Sequence, residues 1–373
     1  MNTRKLIGIS SFVVLTTGVL SGCASTTSSS SPNTTATGGT SASTAQAGGS
    51  ASPALETLYN KAIAAGQTNV VIYGPSAGTD TAMYTAFKKE FPKITVTGVP
   101  VVGPPMTAKL SAEFASGKHV ADIAYTGNTN MMQYQQSNYF ASYTPLGSPG
   151  ASQMVADNIG PNNSFYGVTV GVAGIVTNTN TVKNPPTQWS DFSGSTYKGQ
   201  ITMYDPTAIG EMADIFARLA LVPSYSGVPA ALKASDPQVY PASSLTGPVT
   251  AVAQGAKEIG LEVPYIFYLP AKVGGAPVAF SLLKSDNYTV TLYMGQLKGA
   301  PDPLASELYE SWTYTPQAAA AIASEGEYSA ILGMVAPQSL PPLATIPVFP
   351  GIPLTNIITA QNDAVVKAKA LGY

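Results

Sequence analysis

Between residues 54 and 144 apolar positions recur in two alternating rhythms. Residues 54–65 carry apolar side chains at helical spacing and end at Gly66, and Asn69 to Tyr73 form a short apolar run of buried-strand type. A turn over Gly74 to Gly78 leads to a helix capped by Thr79 or Asp80 and running to about Phe91. Ile94 to Val101 predicts a strand, Thr107 to Ser116 a helix, Val120 to Tyr125 a third strand, and a helix starts near Asn130 after Thr126-Gly127-Asn128. Such alternation predicts an α/β fold with a largely parallel sheet, whose ligands bind at the carboxyl ends of the strands.

Further along, Tyr166 to Asn178 is rich in Val and Gly and predicts one or two strands. Gln200 to Tyr204 predicts a strand, Ala208 to Leu221 a helix, Pro248 to Ala256 a helix and Ile259 to Tyr268 one continuous strand. Ala276 to Leu283 and Val290 to Leu297 predict strands. Asp302 to Thr313, Pro316 to Ser324 and Asn356 to Leu371 predict helices. No repeat of fixed period is present.

The first fifty residues follow neither rhythm. Arg4 and Lys5 precede an apolar run from Leu6 to Leu20, shorter than the ~20 residues that span a bilayer, which predicts a signal peptide over 1–22. Leu20-Ser21-Gly22-Cys23 resembles the bacterial lipobox, and Cys23 is the only cysteine of the chain, so lipidation at Cys23 is expected. Residues 23–52 are nearly all Ser, Thr, Ala and Gly without charge, the composition of a flexible tether.

Composition then removes several chemistries. The 373 residues are 45% hydrophobic and 10% charged, with 18 Lys+Arg against 20 Asp+Glu. With no basic cluster there is no electrostatic footprint for nucleic acid. One cysteine and one histidine, His119, exclude a Cys-based zinc site, an iron–sulfur cluster and an internal disulfide. No cofactor is expected.

Several segments in order resemble the extracellular solute-binding proteins of ABC importers. These are the strand-turn-helix from Val70 to Phe91, Asp122-Ile123-Ala124-Tyr125, Gly174 to Asn178 with Pro185-Pro186 and Trp189 to Phe192, Tyr197 to Pro206, Lys298 to Pro303 and Thr315-Pro316-Gln317. The resemblance is nearest the ferric-iron and small-anion branch. It implies a two-lobe type II periplasmic binding protein fold with hinge strands, lobe one being 53–166 plus 284–373 and lobe two 167–283. It also implies solute capture in the interlobe cleft, a membrane permease as partner, an extracytoplasmic lipid-anchored monomer, and no enzymatic activity.

The loops expected at the cleft give the candidate ligand-binding residues. Ser76 and Thr79 offer hydroxyls at a helix start, Gly127 and Asn128 the same at the next, and Asp205 and Thr207 a third, although Asp205 is equally a helix cap. Tyr265 and Tyr268 stand where iron-binding relatives carry two adjacent tyrosines; here only one member of that pair is present, and the first-loop histidine is missing. The resemblance with these departures points to a small oxyanion, carboxylate or zwitterion, with ferric iron, a ligand-sensing lipoprotein and a serine hydrolase as alternatives. The last rests on Gly74-Pro75-Ser76-Ala77-Gly78, a GxSxG pattern between strand and helix. His119, in a loop before a strand, is poorly placed to serve it.

Overall fold

The computed structural model describes residues 52–75, 77–78, 80–146, 158–194 and 196–373. The expected signal segment, Cys23 and the tether up to residue 51 lie outside the described residues, as do Ser76 and Thr79. Ser52 caps α1 (Pro53–Ala64) by accepting from the Leu55 N–H, and Pro53 starts the helix where no backbone donor is needed. Strand β1 (Asn69–Gly74), α2 (Thr81–Glu90), β2 (Thr95–Pro100), α3 (Gly103–Ser116), β3 (Ile123–Gly127) and α4 (Asn128–Gln136) follow. α3 begins four residues before the predicted Thr107, because Pro104 and Pro105 fall in its first turn, where their missing N–H groups cost nothing.

β4 (Tyr166–Asn178) is one thirteen-residue strand, buried throughout. After it come β5 (Ile201–Tyr204), α5 (Glu211–Leu219), α6 (Val228–Ala234), β6 (Gln238–Tyr240), α7 (Gly247–Ala253), β7 (Ile259–Pro264) and α8 (Tyr265–Val273). The pair α6 and β6 is not foreseen in the sequence. The predicted strand over Ile259 to Tyr268 is corrected: it stops at Pro264, which caps a helix instead. The chain continues with β8 (Val278–Ser281), β9 (Thr289–Gln296), α9 (Pro303–Trp312), α10 (Pro316–Glu325), β10 (Tyr328–Ser329) and α11 (Leu354–Ala370). Among the described residues no single helix is long and apolar enough to cross a membrane.

The strands run in the order β2-β1-β3-β9-β4-β7-β5-β6, with β8 and β10 also paired to β4. β1 is parallel to β2 and β3, and β5 is parallel to β6 and β7. Between these parallel groups lie β9 and β4, antiparallel to each other and to their outer neighbours. β4 serves both groups: Tyr166–Val172 pairs with β9, and Ala173–Thr177 with β7. The chain crosses back between β8, still paired to the second half of β4, and β9.

Helices cover the sheet and close the core. Phe87, Tyr309 and Trp312 pack edge to face between α2 and α9, with ring centroids 5.0 and 5.4 Å from Phe87. Asp122 clamps the start of β3: its carboxylate accepts from the N–H groups of Val71 (2.8 Å) and Asp302 (2.7 Å), which ties β1 and the entry to α9 to one buried side chain. α11 packs against both α4 and α5, so the C-terminal helix touches both strand groups.

Candidate functional site

All six parallel strands point their carboxyl ends at one cavity of about 850 Å³. Pro75 and Val102 follow β1 and β2, Thr126 and Gly127 end β3, Tyr204 ends β5, Pro241 follows β6 and Pro264 ends β7. Helices α3, α4, α5 and α8 begin on the same cavity. A ligand site at the strand carboxyl ends is the general expectation for α/β sheets, and the volume lies in the range of small-molecule sites.

Two of the sequence-predicted residues line this cavity. Gly127 is the N-cap of α4, and Asn128 opens it with its side-chain oxygen accepting from the Thr129 N–H at 2.7 Å. Ser76 and Thr79 lie outside the described residues, although their neighbour Pro75 is in the wall. Asp205 and Thr207 are not in the wall. Asp205 Oδ1 accepts from both the N–H and the hydroxyl of Thr207 at 2.7 Å, a local turn, and Ala208, Ile209 and Gly210 form the surface there.

Tyr265 and Tyr268 are corrected as cavity residues. Because the chain turns helical at Tyr265, positions three apart share a face, and both rings pack on Phe280 in the core, at 5.0 and 5.5 Å. The Tyr265 hydroxyl donates to the Gln338 carbonyl at 2.8 Å. Ile266 and Phe267, on the other side of the helix, line the cavity.

Sequence reasoning missed the polar residues of the wall. Glu327, just before β10, is 4% exposed, and burial pushes its carboxyl up to about 7 against a hydrogen bond from Thr169. Glu325 and Asp80 stand near enough to disfavour its charge. Glu211 occupies the first turn of α5 with Oε1 enclosed and without a hydrogen-bond partner; burial and then Glu262 raise its carboxyl well above the usual range. Gln361, on α11, is 3% exposed and lines the cavity with Oε1 unpartnered. A buried acceptor left unsatisfied costs ~1–3 kcal/mol, so these atoms are a latent attraction for a donor. Tyr288 also faces the cavity, held by donating to Asp214 (2.9 Å), which in turn pairs with Arg218 (3.2 Å).

Among the described lining residues there is no Lys, Arg or His. No group of three or more His, Cys, Asp or Glu side chains among the described residues could hold a metal ion. The cavity tyrosines Tyr204 and Tyr288 already donate to Leu245 and Asp214. His119 lies before the amino end of β3, edge-on to Phe114 at 4.9 Å, while Gly74 stands at the carboxyl end of the neighbouring parallel strand β1. That separation leaves the GxSxG pattern without a histidine partner.

Residues 118–227 match the family model described as bacterial extracellular solute-binding protein. Over this segment the chain is similar to bacterial extracellular solute-binding proteins. Such a protein binds its solute without transforming it. The fold of the chain is similar to that of iron-bound HitA from Pseudomonas aeruginosa, at 18% identity and a TM-score of 0.65, over 82% of this chain and 100% of that one. AfuA from Actinobacillus pleuropneumoniae, with fructose-6-phosphate bound, is similar at 16% identity and a TM-score of 0.64, over 81% and 96% of the two chains. The substrate-binding protein of an ABC transporter from Agrobacterium tumefaciens is similar at 16% identity and 0.65, over 82% and 94%. No curated protein matches the chain in sequence.

Proposed function

We propose that this solute-binding protein is the extracytoplasmic receptor of an ABC importer, which captures a small solute between two lobes and presents the closed form to a membrane permease. The observation that carries the reading is a shared cavity of about 850 Å³ reached by the carboxyl ends of two separate parallel strand groups. Lobe one is 53–166 with 284–373 and lobe two 167–283, except that α11 straddles them. β4 and β9 are the hinge, and solute shifts an open–closed equilibrium by its preference for the closed form. Gly127 and Asn128 contact the solute directly. Lipidation at Cys23 with the tether to residue 52 holds the receptor, a monomer, at the membrane surface.

The solute classes left open by the sequence differ in how they meet this wall. Ferric iron finds neither the expected tyrosines nor a cluster of acidic and imidazole ligands among the described residues. Sensing, as opposed to import, uses the same capture step and differs only in the membrane partner.

The test is small-angle scattering and thermal melting of the purified protein with a solute panel. A binding solute is expected to raise the melting temperature and to reduce the radius of gyration. Gly127→Arg, which places a long charged side chain in the cavity, is expected to abolish both effects. Solute binding that Gly127→Arg leaves untouched would remove the cavity from the mechanism.

A further inference from the structure

We propose that the cavity selects an organic cation, protonated amine or amidinium groups carried on an apolar body, with Glu327, Glu211 and Gln361 as the acceptors the wall offers to its positive charge. This deepens the solute-binding reading and rests on it. The three acceptors come from separate parts of the chain: the entry to β10, the first turn of α5 and the middle of α11. Gln361 is the independent observation. Its side chain is 3% exposed, faces the cavity and leaves Oε1 without a partner, and Glu211 Oε1 is likewise enclosed and unpartnered. An ammonium or amidinium group carries donors and no acceptor, so it satisfies such atoms without leaving one of its own unpaired.

An anion meets the opposite situation. No Lys, Arg or His stands among the described lining residues to neutralise it. Of the four helices that begin at the cavity, α5 already has Glu211 in its first turn, and α3 begins with Pro104 and Pro105, which have no N–H to offer. The remaining wall is largely apolar, with Val102, Ile209, Leu245, Ile266, Phe267 and Val290. A space of about 850 Å³ with such walls is filled by an organic body and far exceeds a bare ion. Phe267 adds an aromatic ring to the lining, and such a ring attracts a cation over its face.

Burial holds Glu327 up to about 7, opposed by a hydrogen bond from Thr169 and reinforced by repulsion from Glu325. A cation removes that penalty. Binding at neutral pH therefore releases protons, and calorimetry in buffers of different ionisation enthalpy reads that release.

The experiment is calorimetry and thermal melting of the purified protein with putrescine, agmatine, choline and tyramine, against citrate, fructose 6-phosphate, ferric citrate and glucose. The expected result is binding of at least one cation with proton release, weakened at least tenfold by Glu327→Gln or Glu211→Gln and several-fold by Gln361→Leu, with unchanged circular dichroism. If one variant fails to fold, the other two carry the comparison. Binding of an anionic or neutral probe with no response to any cation overturns the cation assignment and leaves the solute-binding reading intact. A cation that binds equally well to all three variants also overturns it. No response to any probe counts against both.

Discussion

Two strand-to-helix junctions deliver side chains to the same cavity, and they differ in how they are made. At the first, β3 ends in Thr126-Gly127 and α4 starts at Asn128, with small and polar residues marking the turn. At the second, β7 ends at Pro264 and α8 starts at Tyr265 inside a run that stays largely apolar from Ile259 to Phe267. A turn residue identifies its own junction. An apolar run fits a buried strand and a buried helix start equally, because periodicity has nothing polar to contrast with. The consequence for the site is direct: read as a strand, the segment alternates faces and offers Tyr265 to the cavity, whereas the helix turns Tyr265 into the core and presents Ile266 and Phe267.

The second junction is also the more deeply buried, so the sharpest test is there. Tyr265→Ala removes a ring that is 4% exposed and packed edge to face with Phe280, and it is expected to destabilise the domain by ~3–5 kcal/mol in chemical denaturation. Loss of affinity without loss of stability would return Tyr265 to the cavity wall and undo the comparison.

Glu262 gives the next effect. It is fully enclosed within β7 with φ of 50°, and burial pushes its carboxyl up to about 8; Glu211 is its neighbouring carboxyl. A carboxyl whose folded pKa is raised holds its proton more tightly in the fold than in the unfolded chain, whose glutamates titrate at about 4.3. Stability is therefore greatest below that value and declines as pH rises through about 8. Glu310, also pushed up to about 8, and Glu325 and Glu327, up to about 7, act in the same direction. The melting temperature is expected to be several degrees higher at pH 5.5 than at pH 8, and Glu262→Gln should flatten part of that slope. The first junction, without a titratable side chain from Thr126 to Asn130, contributes nothing to it. A melting temperature that climbs from pH 5.5 to 8 would contradict the assignment.

Phe267→Ala is expected to spare stability and weaken solute binding about tenfold, ~1.4 kcal/mol, as measured by calorimetry on the best-binding probe. The opposite pattern, intact affinity in a destabilised protein, would place this ring in the core with Tyr265. Asn128→Ala is the mildest change. It removes the bond to the Thr129 N–H and is expected to cost ~1 kcal/mol or less in denaturation, since the α4 backbone cap at Gly127 remains.

Local chemistry explains which elements were legible. α1, β1, β5, α10 and α11 lie within a few residues of their predicted spans because each has a periodic apolar pattern bounded by Gly, Pro or a capping residue. Gly127 and Asn128 were visible as candidates for the same reason, being turn residues at the end of a strand. Asp205 was ambiguous between ligand and cap, and its bonds to Thr207 place it in a turn. Glu327 and Gln361 carried no local signal. Glu327 follows Gly326 as a surface glutamate would, and Gln361 is one polar residue in a seventeen-residue amphipathic helix.

The sequence by itself determined the alternation of strands and helices, and so the direction in which the strands point their carboxyl ends, because both follow from spacing and turn chemistry within a few residues. The tertiary structure alone decided what the cavity contains. Glu211, Glu327 and Gln361 become neighbours of one space only when β4 joins the two strand groups and α11 packs across α4 and α5. The scarcity of charge along the chain is a sequence fact, but the concentration of unpaired acceptors in an apolar cavity without a cation is a consequence of long-range packing, which no local pattern encodes.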